Sequence, residues 1–510
     1  MHSNRRPFGA WRAATAALAV LATVTACGGD DDVVPPPPAA TCATQVNDTE
    51  EKLLACVTLD GVRAHLTELS RLAAANGGNR ASGEPGYEAA VVYAEKVFGD
   101  AGYTVSRVPF DFVAYTDLGG SVLQQTAPGA VADLPHAVMS YSGSGSVTGP
   151  VTVAANLGCD AADFAGFTAG HVALVSRGEC TFEQKANNAI AAGASGVVIY
   201  NNAAGDLAGT LGDTFTANVP VLGITQALGQ QLAVTPGLAL ALTTSTTRVT
   251  NSTFNVLAES KGGDPNHVVM VGAHLDSVHE GPGINDNGTG TAAVLETAVQ
   301  MARVTPKYRV RFALWGGEEA GLLGSTDYVE RLSDADGAKI ALYLNFDMIG
   351  SPNAGYFIYD GDDSDAEGEA AGPAGSDLIE KRFEAFYTAR NKAFQGTDFD
   401  GRSDYGPFIA VGIPAGGLFT GAEDLKTAEQ AALWGGTAGT AFDPCYHAAC
   451  DTLSNLDDAA LDLNSDAVAA ATLHFANNLD GFLTTAGPTA RAQAYTPPKD
   501  MRPKHLPPLR

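Results

Sequence analysis

After residue 254 the chain sets short, continuous apolar runs against amphipathic stretches, and this alternation limits the folds open to it. "HVVMVGAH" (267–274), "YRVRFALWGG" (308–317), "IALYLNFDMIG" (340–350) and "GIPAGGLFTG" (412–421) read as strands. The continuous apolar run of "HVVMVGAH" marks a strand buried on both faces, as in parallel sheets. Between them, "GTGTAAVLETAVQMARV" and the stretches from about 319 to 332 and about 375 to 392 have helical period. "YFIYDG" adds a strand and "NSDAVAAATLHFANNLDGFL" a closing helix. Strands alternating with helices predict a three-layer α/β/α domain with a mostly parallel central sheet.

The first half is organised differently. Residues 60–76 read as a helix with Asp60 as N-cap, and residues 86–101 as a second helix. "YTVSRVPFDF" alternates as a strand but has no partner strand close behind it. From about 131 to 250 a β-rich α+β unit follows, in which "HVALVSRGECTFEQKANNAIAAGASGVVIYNN" reads strand, helix, strand. A chain of 510 residues leaves room for two or three domains.

The N-terminus carries Arg5, Arg6 and Arg12, then the apolar stretch "AATAALAVLATVTA", too short to span a bilayer and stay. It ends in "VTAC", which resembles a bacterial lipobox. That resemblance implies cleavage before Cys27 and lipidation of Cys27; an ordinary signal peptide cut nearby, or a plain anchor, is the alternative. "GGDDDVVPPPP" then reads as an extended tether. The expected location is outside the bacterial inner membrane, lipid-anchored to the cell envelope or secreted. The net charge of −27 disfavours nucleic acid and anionic membrane surfaces as partners.

With Cys27 set aside, six cysteines remain, an even number suited to an oxidising compartment. Six cysteines admit about fifteen pairings. Closeness in sequence favours Cys42 with Cys56, Cys159 with Cys180, and Cys445 with Cys450.

The strand ends carry the chemistry. In open α/β sheets ligands bind beyond the carboxyl ends of the strands. His274 and Asp276 end one strand, and Asp286 sits in the Gly-rich turn after it. Glu318 and Glu319 follow Trp315, Asp347 ends "ALYLNFD", and His447 lies in "FDPCYHAACDT". So many carboxylates on one sheet edge repel unless a cation neutralises them. Carboxylate oxygens with imidazole nitrogens suit zinc better than magnesium or calcium. Two ions bridged by one carboxylate would use the whole set.

Two family resemblances follow. "ALVSRGECTFEQKANNAIAAGASGVVIYNN" is similar to the protease-associated (PA) domain, an accessory insert of secreted hydrolases. "GAHLDSV", "GPGINDNGTG", "WGGEEAGLLGS", "NFDMIG", "GRSDY", "GIPAGGLFTG" and "AFDPCYHAACDT" resemble the co-catalytic di-zinc aminopeptidases, the bacterial leucine-aminopeptidase-like group. "VRAHLTELSRLAAANGGNRASGEPGYEAA" resembles the opening of the same domain, so the peptidase domain is split by the PA insert. The implied order is a signal peptide (1–26), a tether (27–41), a first peptidase part (42–130), the PA insert (131–250), the main peptidase part (251–485) and a tail (486–510) expected to be disordered.

The resemblance implies roles. His274 and Asp347 hold one zinc, Glu319 and His447 the other, and Asp286 bridges them. Asp276 orients His274, and Glu318 is the general base that deprotonates the attacking water. Arg402 and Tyr446 lie near the substrate and the oxyanion, and Phe419, Met348 and Gly401 form the side-chain pocket. In this family the Asp286–Asn287 peptide is often cis. Each residue also has a plainer use: a cap for Asp276, helix-start acids for Glu318 and Glu319, a surface ion pair for Arg402, core for Phe419 and Met348. Asp462 and Asp466, i and i+4 at the start of the last helix, stand where some relatives bind calcium. Cys56 occupies a position where an acid would help, which favours reading them as helix-start acids.

The expectation is a monomeric zinc aminopeptidase acting on peptide or protein N-termini with apolar, Leu-like first residues. Two rivals stand beside it. One is a carboxypeptidase or glutaminyl cyclase on the same fold; the other is a non-catalytic, receptor-like binder. No basic residue for a C-terminal carboxylate is evident, the ligand set is larger than a one-zinc cyclase needs, and none of the ligands is missing.

Overall fold

A computed structural model describes residues 41–483, except 204, 208 and 367–370. The leader, Cys27, the tether up to residue 40 and the tail from 484 lie outside the described residues.

Eight strands form the central sheet. In chain order they are β1 (Thr104–Asp117), β2 (Thr246–Glu259), β3 (Asp264–His274), β4 (Tyr308–Trp315), β5 (Ile340–Phe346), β6 (Phe357–Tyr359), β7 (Gln395–Thr397) and β8 (Ala415–Phe419). Their spatial order is β1-β2-β4-β3-β5-β8-β6-β7. The middle strands β4, β3, β5 and β8 are parallel, as the strand–helix alternation predicts. The flanks are antiparallel, β1 on β2, β2 on β4, and β6 on β8.

The pleat sends alternate side chains to opposite faces. Val269, Val271, Leu342 and Leu344 pack on one face with helices α1 (Leu59–Ala75), α2 (Pro85–Asp100), α3 (Gly290–Met301), α5 (Ser376–Ala389) and α7 (Asp458–Asn477). Val268, Met270 and Tyr343 pack on the other with α4 (Leu323–Glu330) and α6 (Tyr405–Ala410). Each such fully buried side chain contributes about 1.5–3 kcal/mol. Because both faces are covered, the parallel strands can end only at the sheet's edge, and that edge holds the polar residues.

β1 and β2 pair from Thr104↔Glu259 to Asp117↔Thr246. β1 therefore finds its partner on the far side of a second eight-stranded sheet, built from residues 122–244. In that sheet Gly145–Val153, Val172–Ser176, Gly196–Tyr200 and Val221–Ile224 run parallel. Helix Phe182–Ala191 connects two of them, the strand–helix–strand read from sequence. The disulfides are Cys42–Cys56, Cys159–Cys180 and Cys445–Cys450. No helix among the described residues is long and apolar enough to cross a membrane.

Several element boundaries differ from expectation. α1 is capped by Thr58, which is extended and accepts from Gly61 N at 3.1 Å, and Asp60 lies inside the first turn. α4 starts at Leu323, not near 319, because Gly317, Gly321 and Leu322 adopt positive φ and close a turn instead. Glu318 and Glu319 therefore precede the helix and are not its first-turn acids. α7 starts at Asp458, capped by the Asp457 carboxylate, so Asp462 and Asp466 lie inside the helix and not at its start.

Candidate active site

β3 delivers His274, buried to 1 % exposure, to the edge of the sheet. The chain then loops back and enters α3 through a wide turn, Ile284–Thr289, that carries Asp286. Glycine is needed here. At Gly283 φ is 58°, and a Cβ would stand 2.2 Å from Asp286 O. At Gly290 a Cβ would stand 2.2 Å from Phe346 O, so only glycine lets α3 begin against the end of β5. The peptide Asp286–Asn287 is cis.

The side chains converge. Asp286 Oδ1 lies 3.2 Å from His274 Nε2, and Asp286 Oδ2 lies 3.2 Å from His447 Nε2. His274 Nε2 also meets Asp347 Oδ1 at 3.2 Å, and His447 Nε2 meets Glu319 Oε2 at 3.0 Å. Each imidazole thus shares Asp286 and has a second carboxylate of its own. Glu318 Oε2 stands 4.0 Å from His274 Nε2.

Charge is unbalanced in this cluster. Burial pulls the His274 imidazole down, but the carboxylates of Asp347, Glu318, Asp276 and Asp286 outweigh it and hold it well above the usual range. Burial likewise opposes protonation of His447, yet hydrogen bonds to Asp286 and Glu319 push it to about 10. Glu318 is held well above the usual carboxylate range, chiefly by burial, and burial with the Asp286 charge lifts Glu319 to about 7. Glu319 Oε1 is buried without a hydrogen-bond partner. A cation would resolve both the crowding and the orphaned oxygen.

The donors fit zinc. Ligand atoms about 2.0–2.1 Å from a tetrahedral ion lie about 3.3 Å apart; the donor pairs here are 3.0–3.2 Å apart. Among the described residues, His274–Asp286–Glu319 and His274–Glu318–Asp347 are sets of converging donors. Asp462 and Asp466 belong to no such set.

The remaining expected residues surround a cleft of about 320 Å³. Tyr446, Arg402, Met348, Gly401 and Phe419 all line it. Arg402 Nη2 donates to Glu423 Oε1 at 2.8 Å and to the Tyr446 phenol at 3.3 Å, so it is both a surface ion-pair partner and a neighbour of the site. Met348 is only 3 % exposed, mostly core, with a small face on the cleft. His274 Nδ1 lies 3.2 Å from the Asp276 backbone carbonyl and 3.6 Å from its carboxylate. That carboxylate also accepts from Glu318 N at 3.3 Å, and so joins the His274 strand to the Glu318 turn.

Sequence reasoning missed the supports. Arg80, fully buried in the connection between α1 and α2, donates to the carbonyls of Leu275, Pro282 and Gly283. Asp451 accepts from Asn285 N at 2.8 Å and Asp286 N at 3.0 Å. Ser403 donates to Asp347 Oδ2 at 2.6 Å and accepts from Asn345 at 2.9 Å. Asp451 and Ser403 lie inside "AFDPCYHAACDT" and "GRSDY", which was the one signal available for them.

Known proteins resemble this chain in sequence and fold. The family description "Peptidase family M28" matches residues 255–472, and "PA domain" matches residues 147–232. An aminopeptidase of Pseudomonas aeruginosa is 48 % identical over 434 residues, covering 82 % of this chain and 81 % of that protein. The "Probable lipoprotein aminopeptidase LpqL" of Mycobacterium tuberculosis is 44 % identical, covering 83 % of this chain and 86 % of that one. The solved aminopeptidase from Aneurinibacillus sp. strain AM-1 superposes with a TM-score of 0.70 at 28 % identity, over 84 % of this chain and 96 % of that chain. With its strand-end donors and its inserted PA domain, this chain belongs to peptidase family M28 and is an aminopeptidase, an enzyme that hydrolyses peptide bonds.

Proposed function

We propose that this cleft removes apolar N-terminal residues from peptides, with two zinc ions held by His274, Asp286, Glu319, Asp347 and His447. One observation carries the reading: the two oxygens of Asp286 face two different imidazoles, each paired with its own second carboxylate. When bound, zinc supplies Lewis acidity at the scissile carbonyl and a more acidic water.

The chain's own groups do the rest. The carboxylates that line the cleft attract a free α-amine, and the guanidinium that lines it, Arg402, is already paired with Glu423. Glu318, at the rim of the donor cluster, takes the proton of the attacking water and returns it to the leaving amine. The Tyr446 oxygen accepts from Arg402, which leaves its O–H free to donate to the carbonyl oxygen as negative charge builds there. Tyr446 stacks on His447 with ring centroids 3.8 Å apart, which fixes the direction of that donor. Phe419, Met348 and Gly401 form an apolar floor suited to a Leu-like side chain. Calcium is not part of the proposal.

In this reading the insert takes the whole second sheet, residues 122–244, a little earlier than the expected 131–250, and the peptidase domain takes the described residues on either side of it. Export and a lipid on Cys27 complete the reading, supported by "VTAC" and by the lipoprotein name of the mycobacterial relative. The test compares leucyl-p-nitroanilide with its N-acetylated form, before and after chelation and zinc return. Cleavage of the free-amine substrate alone, lost with chelator and restored by zinc, is expected. Glu318→Gln should lower kcat by about 10²–10⁴-fold while two zincs stay bound. Cleavage of the acetylated form, or a zinc content of one, would overturn the reading.

A further inference from the structure

The turn that carries Glu318 and Glu319 is gripped at two points, once from β2 of the central sheet and once from the inserted second sheet. Its stem closes on itself: Gly324 N donates to Gly316 O at 3.0 Å, and Leu323 N to Gly317 O at 2.9 Å. One side chain spans that stem. Asn255, fully buried on β2, accepts from Gly316 N at 3.1 Å and donates through Nδ2 to Gly324 O at 2.8 Å. The fit is close, since a Cβ on Gly324 would stand 2.2 Å from Asn255 Oδ1.

The tip is held from the second sheet. Tyr141, 5 % exposed, packs in that sheet's core with Met139 and Phe215. Its hydroxyl donates to Ala320 O at 3.4 Å, one residue beyond Glu319. Tyr115 of β1 lies against the Tyr141 ring at 5.4 Å. The β1–β2 ribbon is thus common to both grips: β2 supplies Asn255, and β1 backs Tyr141. Gly321 and Leu322, at the same tip, line the cleft.

We infer that β2 of the central sheet and the inserted second sheet together position the catalytic turn, with Asn255 and Tyr141 as the positioning residues for Glu318 and Glu319. Neither reaches the cleft; both act by fixing the backbone from which the two carboxylates project. Displacements of about 1 Å can cost about a hundredfold in rate, so a rigid turn matters more than its own stability suggests. The insert is then part of the catalytic apparatus, and a load on the second sheet is felt at Glu318.

This rests on the proposed roles of Glu318 and Glu319, and the test separates the two. Asn255→Asp keeps shape but sets an oxygen against Gly324 O; Tyr141→Phe removes only the hydroxyl. Both are made in the full chain and compared with wild type by leucyl-p-nitroanilide kinetics and by amide hydrogen exchange of residues 316–324 in chelated protein. Asn255→Asp should lower kcat about tenfold or more with KM within about twofold, and Tyr141→Phe should lower it by a smaller factor. In both, exchange at Gly321 and Leu322 should quicken while the amides of β3 and β5 keep their protection. Unchanged exchange of the turn in Tyr141→Phe would overturn the inference whatever the kinetics. Faster exchange with no leucyl-p-nitroanilide activity in wild type would leave the coupling standing and remove the functional reading. A drop in kcat with protection lost throughout β3 and β5 would mark a general folding role and overturn it also.

Discussion

Arg80 offers the most direct check on how the donor loop is built. Its guanidinium is fully buried and holds the carbonyls of Leu275, Pro282 and Gly283, which lie on the segment between His274 and Asp286. Burial pulls its pKa down to about 10, against the charges of Asp451, Asp276, Asp286 and Glu319, so it remains a cation at neutral pH. Arg80→Met keeps the stem and removes the donors. Gly283 O keeps its bond from Gly288 N at 3.0 Å, so the carbonyls of Leu275 and Pro282 are the two left without a donor, each at a cost of about 1–3 kcal/mol. The burial cost of the guanidinium itself disappears, which offsets part of the loss, and a net loss of about 2–4 kcal/mol follows. With an m value of about 3 kcal/mol/M, the urea midpoint falls by roughly 0.7–1.3 M. The measurement is best made on chelated protein, where metal binding cannot mask it. Arg80→Lys should fall most of the way to Arg80→Met, because one ammonium cannot span carbonyls on both sides of the loop. A midpoint within about 0.3 M of wild type would refute the reasoning and make the Arg80 contacts incidental.

Two further outcomes are expected. The Cys445–Cys450 bridge encloses Tyr446 and His447, the latter at a φ of 54°. Replacing both cysteines by serine should weaken zinc retention by roughly tenfold or more, read by competition with a chromogenic chelator, with excess zinc restoring activity; unchanged retention would contradict it. Glu380, 5 % exposed, has its pKa raised to about 7 by burial, against the hydrogen bond from Gly361 N. A carboxyl whose pKa is higher in the folded state favours folding most when protonated. Its contribution is therefore lost as pH climbs from about 4.5 through about 7, and changes little above that. Glu380→Gln should gain on wild type across that window, by about 1–2 kcal/mol at pH 8; parallel stability curves would rule this out.

The converging donor set was legible because strand ends are legible. His274, Glu318, Glu319 and Asp347 each stand at or just beyond the end of a largely apolar strand, and a polar group at such a place has no packing reason to be there. The helix boundaries were less so. Thr58 and Asp60 are both good caps by type, and the choice depends on which residue turns extended, a property of the backbone. At 317–322 the glycines were visible, but their consequence, a closed turn where helical period had been read, depends on Asn255 from another strand.

The supports were hidden for a different reason. Arg80 and Leu275 are 195 residues apart, with the entire second sheet between them in sequence. Their partners are main-chain carbonyls, and a carbonyl leaves no mark in a sequence. A ligand must have one of a few side-chain types at one place, so residue type alone betrays it. A buried amide or guanidinium that braces a loop can be recognised only once the loop's path is known, as with Asn255 and Arg80. The donor atoms of this site are thus written locally, whereas their precision is written in long-range contacts, and the insert lies between the two halves of that contact set. An insertion at this point is tolerable only because β1 and β2 pair along their whole length and return the chain in register; the same ribbon then places Asn255 under the catalytic turn.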